Sequence, residues 1–204
     1  MKKIAIIGSG SWGIALAIHL AKLGHEVRVW SFAEEEANYI NQYRRCKFLP
    51  NVKLPEGISC KLNYEDVIWG SDMILHVTPS KFVRDTVKAY KRFVTTQPVI
   101  MCSKGFEPET GKMLVDVLEE EMPFVKTGIL SGPSHAEEVS VGIPTAVVVA
   151  SKYPEVREMI QNHFMNENLR IYTSEDVRGV ELRRRYKKYY RFLCWYCSRI
   201  RTRG

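Results

Sequence analysis

Long apolar runs are missing from this sequence, and none of its hydrophobic stretches approaches the ~20 residues that a membrane-spanning helix requires. A signal-peptide core is missing too, because Lys2 and Lys3 are followed by only four apolar residues before Gly8. Cysteine is scarce: the five residues, at positions 46, 60, 102, 194 and 197, are scattered and odd in number. That excludes a disulfide framework and favours a reducing compartment. The expectation is a soluble, cytoplasmic protein with no membrane insertion. Acidic residues are absent from Arg183 to Gly204, where nine of the 22 residues are Lys or Arg. The other 21 basic residues share positions 1–182 with all 23 acidic ones, so a chain of net charge +7 is a domain of net −2 joined to a basic tail. The two parts need separate explanations.

What is present is ordinary for a globular protein. Of 204 residues, 45% are hydrophobic and 26% charged, enough for one sizeable core. Apolar runs at 3–8, 26–30, 73–78, 98–103, 127–132 and 145–150 read as buried strands. Helical spacing at 12–23, ended by Gly24, and amphipathic stretches at 34–44, 80–91, 110–121 and 154–164 lie between or after them. Such alternation predicts an α/β fold, a doubly wound parallel sheet of Rossmann type covered on both faces. No internal repeat or low-complexity linker interrupts it before residue 183. The division expected is a domain over 1–182 and a tail over 183–204.

Residues 8–13, Gly-Ser-Gly-Ser-Trp-Gly, fit the G-x-G-x-x-G pattern between a strand and a helix. Gly8 permits a tight turn, Gly10 lets the backbone approach a pyrophosphate, and Gly13 allows the helix to pack closely on the strand. The helix N-terminus then offers free N–H groups and partial positive charge to phosphates. The plain alternative is a glycine-rich turn with no ligand. An acidic residue ~20 positions further on would favour NAD and a basic one NADP. Trp30-Ser31-Phe32-Ala33 supplies neither, and Glu34 begins the next helix, so the cofactor is NAD or NADP.

With these residues in view, the sequence resembles the NAD(P)-dependent glycerol-3-phosphate dehydrogenases of bacterial type. The likeness runs continuously over 1–182 through Gly8–Gly13, FLPNVKLP (48–55), SKGFE (103–107), LSGPSHAEE (130–138) and SEDVRGVEL (174–182). It implies interconversion of dihydroxyacetone phosphate and sn-glycerol 3-phosphate, which supplies the backbone of membrane phospholipids. It places Ser11, Trp12, Lys104 and Ala136 against the dinucleotide, and Lys104, Gly132 and Ser134 against the small-molecule substrate. Lys187 takes the position of the general acid/base. His135 receives no catalytic role and is read as structural. Family members often carry His or Arg just after the second strand to meet a 2′-phosphate, a pattern from which Phe32 and Ala33 depart. A homodimer is implied for the intact family. Plainer readings stand beside these: Lys104 as a solvated loop lysine, and Gly132-Pro133-Ser134 as a turn with a helix N-cap. Another dehydrogenase of the 3-hydroxyacid or 6-phosphogluconate type is the alternative enzyme.

After Leu182 the resemblance stops. The family continues with a glycine-rich helix start of the form GGALKN, whereas this chain reads RRRYKKYYRFLCWYCSRIRTRG. A shift of one base accounts for it, since codons that encode this tail also permit GGAIKNIIAFCAGIAAGLGL in the adjacent frame. On this reading the family's C-terminal helical domain is missing, and the activity of the chain as written is impaired. Two other readings attach to the tail. Basic residues interleaved with Tyr186, Tyr189, Tyr190, Phe192, Trp195 and Tyr196 suggest an RNA-binding remnant. Cys194 and Cys197 have the spacing of a redox pair or half a zinc site. Basic runs alone support only non-specific attraction, and no second ligand pair accompanies the cysteines, so neither specific nucleic acid nor metal is expected.

Overall fold

The computed structural model describes residues 1–183. Its first strand, β1 (Lys3–Ile7), is buried except at Lys3 and runs into the glycine turn and helix α1 (Ser11–Lys22). Gly24, at φ +82°, turns the chain into β2 (Glu26–Trp30). Helix α2 (Glu34–Tyr43) follows, its first turn holding three glutamates where the helix dipole favours them. A small hairpin, β3 (Arg45–Cys46) and β4 (Leu49–Lys53), precedes β5 (Ile58–Lys61) and the short α3 (Tyr64–Ile68). Then come β6 (Met73–His76), α4 (Val83–Tyr90), β7 (Val99–Met101) and α5 (Leu114–Glu121). The last elements are β8 (Thr127–Ser131), α6 (Ala136–Val141), β9 (Thr145–Ala150), α7 (Pro154–Phe164) and β10 (Leu169–Ser174), with residues 177–183 again helical.

The strands form one eight-stranded sheet in the order β10-β9-β8-β7-β6-β1-β2-β5. From β5 to β8 all neighbours are parallel. The chain winds outward in both directions from β1, so the β1/β6 boundary is the switch point where such sheets bind ligands. Alternate residues of β1 serve opposite faces: Ile4 and Ile6 join the apolar cluster with α1, α6 and α7, while Ala5 and Ile7 join that of α3, α4 and α5.

The expected doubly wound, mainly parallel sheet is present, with one edge turned: β9 is antiparallel to β8, and β10 follows β9. The connection explains it. Helix α6 has six residues, about 9 Å of rise, which cannot carry the chain back along a strand, so β9 enters from the end where β8 stops. Helix α5 also begins later than 110, because Gly111 at φ +70° and the bridge between Phe106 and Met113 hold 106–113 as a turn. The hairpin, β5, α3, α6 and β10 were not expected from the apolar pattern. The helices expected over 34–44 and 154–164 agree with α2 and α7 to within one residue.

Candidate functional site

The three glycines of the first turn do different work. Gly8 adopts φ +125°, and a Cβ there would lie 3.0 Å from the carbonyl carbon of Val77. A Cβ on Gly13 would lie 2.1 Å from the Gly8 oxygen, so α1 sits against β1 only because no side chain intervenes. At Gly10 a Cβ would meet nothing within 4 Å. The protein's own packing therefore demands Gly8 and Gly13, while Gly10 leaves open space at the mouth of the turn.

That space faces an uncapped helix. Gly10 is the N-cap of α1, no side chain bonds to the free N–H groups, and the first turn holds no acidic residue. Each of α2 to α7 carries at least one. Trp12, in that first turn, has an indole N–H that is buried without a partner, although an indole nitrogen can only donate. Open space, an uncapped positive helix end and an orphaned donor fit the phosphates of a dinucleotide.

Of the other expected residues, Lys104 comes to Trp12 itself. The Lys104 ammonium lies 5.9 Å from the centroid of its indole, within reach of a cation–π contact. Ala136 opens α6, is 7% exposed, and belongs to the apolar cluster against which Trp12 packs. Ser11 begins α1 beside them. The loop carrying Lys104 is held from several sides. Ser103 Oγ donates to the His76 carbonyl at 3.3 Å, and Gly105 adopts φ +110°. Glu107 is gripped bidentately by Arg84, with Nε and Nη2 donating at 2.6 and 2.9 Å. Arg84 holds that carboxyl down to a pKa of about 2, and Thr110 Oγ1 adds a further bond. Arg84 also donates to Glu120 and Glu121 of α5, and Glu107 first, then these two, push its own pKa upward.

Gly132 and Ser134 stand past the end of β8. A Cβ on Gly132 would meet Val147 Cγ1 at 2.8 Å and the Ala146 oxygen at 2.9 Å, so the β9 crossing requires glycine there. Ser134 is buried. The plain reading of Ser134 as a helix N-cap is corrected: the N-cap of α6 is His135, and no side chain caps it. His135 is exposed. Lys187, Cys194 and Cys197 lie outside the described residues.

Three features escaped the sequence reading. His76 is wholly buried in β6 as the register partner of Ile7, between Tyr90 Oη at 3.1 Å and Thr78 Oγ1 at 2.7 Å. Burial pushes its pKa down to about 3, so it stays neutral. A polar residue in the run MILH was the available signal. The Arg84–Glu107 clamp joins residues 23 apart in sequence, which no spacing rule reaches. Glu36 of α2 is turned back toward the glycine loop, bonded to Ser9 and Ser31. Among the described residues no group of three or more His, Cys, Asp or Glu could hold a metal, and no helix is long and apolar enough to cross a membrane.

Comparison with known proteins matches residues 3–157 to the family described as NAD-dependent glycerol-3-phosphate dehydrogenase N-terminus. The chain is 43% identical over 187 residues to a protein of Fusobacterium nucleatum named glycerol-3-phosphate dehydrogenase (NAD(P)+), an alignment covering 89% of this chain and 56% of that one. With the protein of the same name from Bacillus mycoides, identity is 44% over 188 residues, covering 89% and 55%. The crystal structure of a glycerol-3-phosphate dehydrogenase from Coxiella burnetii superposes with a TM-score of 0.85 at 31% identity, covering 89% of this chain and 56% of that one. A UDP-glucose dehydrogenase from Pyrobaculum islandicum, at 16% identity and a TM-score of 0.68, shares the fold alone. The chain spans about half the length of the relatives it matches.

Proposed function

The chain belongs to the family of the NAD-dependent glycerol-3-phosphate dehydrogenase N-terminus, and on that premise we propose that residues 1–182 are the NAD(P)-binding domain of an enzyme that reduces dihydroxyacetone phosphate to sn-glycerol 3-phosphate. Membership implies a nicotinamide cofactor. When bound, its dihydronicotinamide supplies the hydride for the substrate's C2 carbonyl. The chain's own residues do the rest. The N–H groups at the head of α1, with Ser11 and Trp12, hold the pyrophosphate, and Gly10 keeps the approach clear. Lys104 meets phosphate and aligns cofactor with substrate, which is a gain from orientation. Ala136 packs against the dinucleotide, and Gly132 and Ser134 contact the substrate. Lys187 delivers a proton to the C2 oxygen. Residues 183–204 form a separate basic segment. The product supplies glycerophospholipid synthesis in the cytoplasm.

The observation that carries this reading is the open space at Gly10 before an uncapped helix end, with Lys104 and Trp12 beside it. Titration of folded protein with NADH, native against Gly10→Val, tests it: binding should be lost in the variant, and equal affinities would refute the assignment. A substrate panel on the protein that carries this domain tests the reaction. Preferential turnover of a 3-hydroxyacid or of 6-phosphogluconate would show the wrong dehydrogenase branch.

A further inference from the structure

Helix α2 opens with three consecutive glutamates that part ways. Glu34 and Glu35 are exposed, and Glu35 is paired with the Lys47 ammonium at 2.6 Å. Glu36 turns back over the first turn, the direction helical side chains favour, and is partly buried. Its Oε2 lies 2.8 Å from the Ser9 hydroxyl and 2.8 Å from the Ser31 hydroxyl. Its Oε1 is shielded from solvent and has no hydrogen-bond partner. A buried carboxylate oxygen left unpaired is costly, so its retention here calls for a donor.

The location says which donor. Ser9 stands between the first two glycines of the loop, and Ser31 directly follows β2. In a Rossmann sheet the adenosine ribose lies between those two segments, where a carboxylate favours a free 2′-hydroxyl and a cation favours a 2′-phosphate. The residues after Ser31 are Phe32 and Ala33, both exposed and uncharged. Of the cations around this corner, Lys47 is taken up by Glu35, and Lys61 is an exposed residue at the end of β5, in register with Trp30.

Resting on the dinucleotide-binding reading above, we infer that Glu36 is a specificity-determining residue that makes this site select NAD(H) over NADP(H). The 2′-hydroxyl donates to the unpaired oxygen, whereas a 2′-phosphate brings only acceptors and like charge. The acidic residue comes from the helix after β2 rather than from the strand end itself. Like charges a few ångströms apart in a partly buried corner discriminate by roughly tenfold or more.

The test is equilibrium titration of the full 204-residue chain with NADH and NADPH, native and Glu36→Gln, read by nicotinamide fluorescence. Glutamine keeps the size and the acceptor for the two serines while removing the charge. Native protein should bind NADH at least about tenfold tighter than NADPH, and the variant should narrow that ratio chiefly by strengthening NADPH. Equal native affinities, or a ratio unchanged in a folded variant, overturn the inference alone. Binding of neither coenzyme overturns the dinucleotide reading and this inference with it. A native ratio near one refutes the inference without any variant, and Glu36→Ala, read in the same titration, takes the place of a Glu36→Gln protein that fails to fold.

Discussion

Replacing Gly13 by alanine should damage the fold, whereas the same change at Gly10 should barely touch it. At Gly13 the added Cβ would stand 2.1 Å from the Gly8 carbonyl oxygen, about 1.3 Å short of the 3.4 Å at which ordinary contact begins. The obstacle is backbone on both sides, so α1 must move away from β1 as a body. That helix buries Ile14, Ala15, Leu16, Ala17, Ile18 and Leu20, and lifting it opens gaps along its whole inner face. Overpacking of this kind costs about 3 kcal/mol or more. For a domain of this size each kcal/mol lowers the melting temperature by about 2–4 °C, so Gly13→Ala should melt roughly 6–12 °C below the native protein. At Gly10 the backbone is ordinary (φ −65°) and a Cβ meets nothing within 4 Å. Its only cost is a poorer N-cap, about 1 kcal/mol at most, so the shift should stay under about 4 °C. Thermal unfolding followed by circular dichroism measures both. Equal shifts for the two variants, or a Gly13→Ala protein within about 2 °C of native, would refute the division of labour among the glycines.

Two further outcomes concern acid. Because Arg84 holds Glu107 at about 2 against an ordinary 4.5, its ion pair contributes fully above pH 4.5 and is lost as pH falls toward 2; Glu107→Gln should flatten the stability profile across that window, and an unchanged profile would show the clamp to be inert. His76 titrates near 3 rather than 6.5, so the unfolded chain takes up a proton the folded one refuses, and stability should fall below pH 6.5 with a slope of up to about 1.4 kcal/mol per pH unit. His76→Gln should remove that share while His19 and His163, also lowered by burial, keep theirs; identical slopes in urea titrations would sink the argument.

Much of this architecture was written in the apolar runs. MILH and TGILS are buried along their length and KIAII from Ile4 onward, and buried parallel strands announce themselves by composition. Direction does not. TAVVVA reads the same whichever way it enters the sheet, and only the shortness of α6 betrays the reversal. LPNVK was hidden by a proline and by exposed positions, and LRIYTS alternates as a half-exposed strand does. In the site, glycine spacing pointed to the open end of α1, and the family likeness pointed to Lys104, which the fold brings to Trp12, and to Ala136, in the apolar cluster that Trp12 packs against. Glu36 was lost among three glutamates, because sequence cannot tell which of them faces inward until the helix phase is known. The Arg84 clamp depends on helix α4 meeting the loop after β7 and helix α5 on one face of the sheet.

The reversed edge has one more effect, on where the chain travels next. Because β9 and β10 run against the rest of the sheet, the chain leaves Ser174 beside Ala150, at the end of the sheet where β8 begins. From there residues 177–183 climb alongside α5: Arg178 reaches Asp116, and the Glu181 carboxylate accepts the Leu114 N–H at 2.7 Å, at the head of that helix. Leu114 follows the loop that carries Lys104. Two reversed strands thus act as a return path, carrying the chain back from the foot of β8 to Glu181, at the rim of the sheet from which α5 sets out.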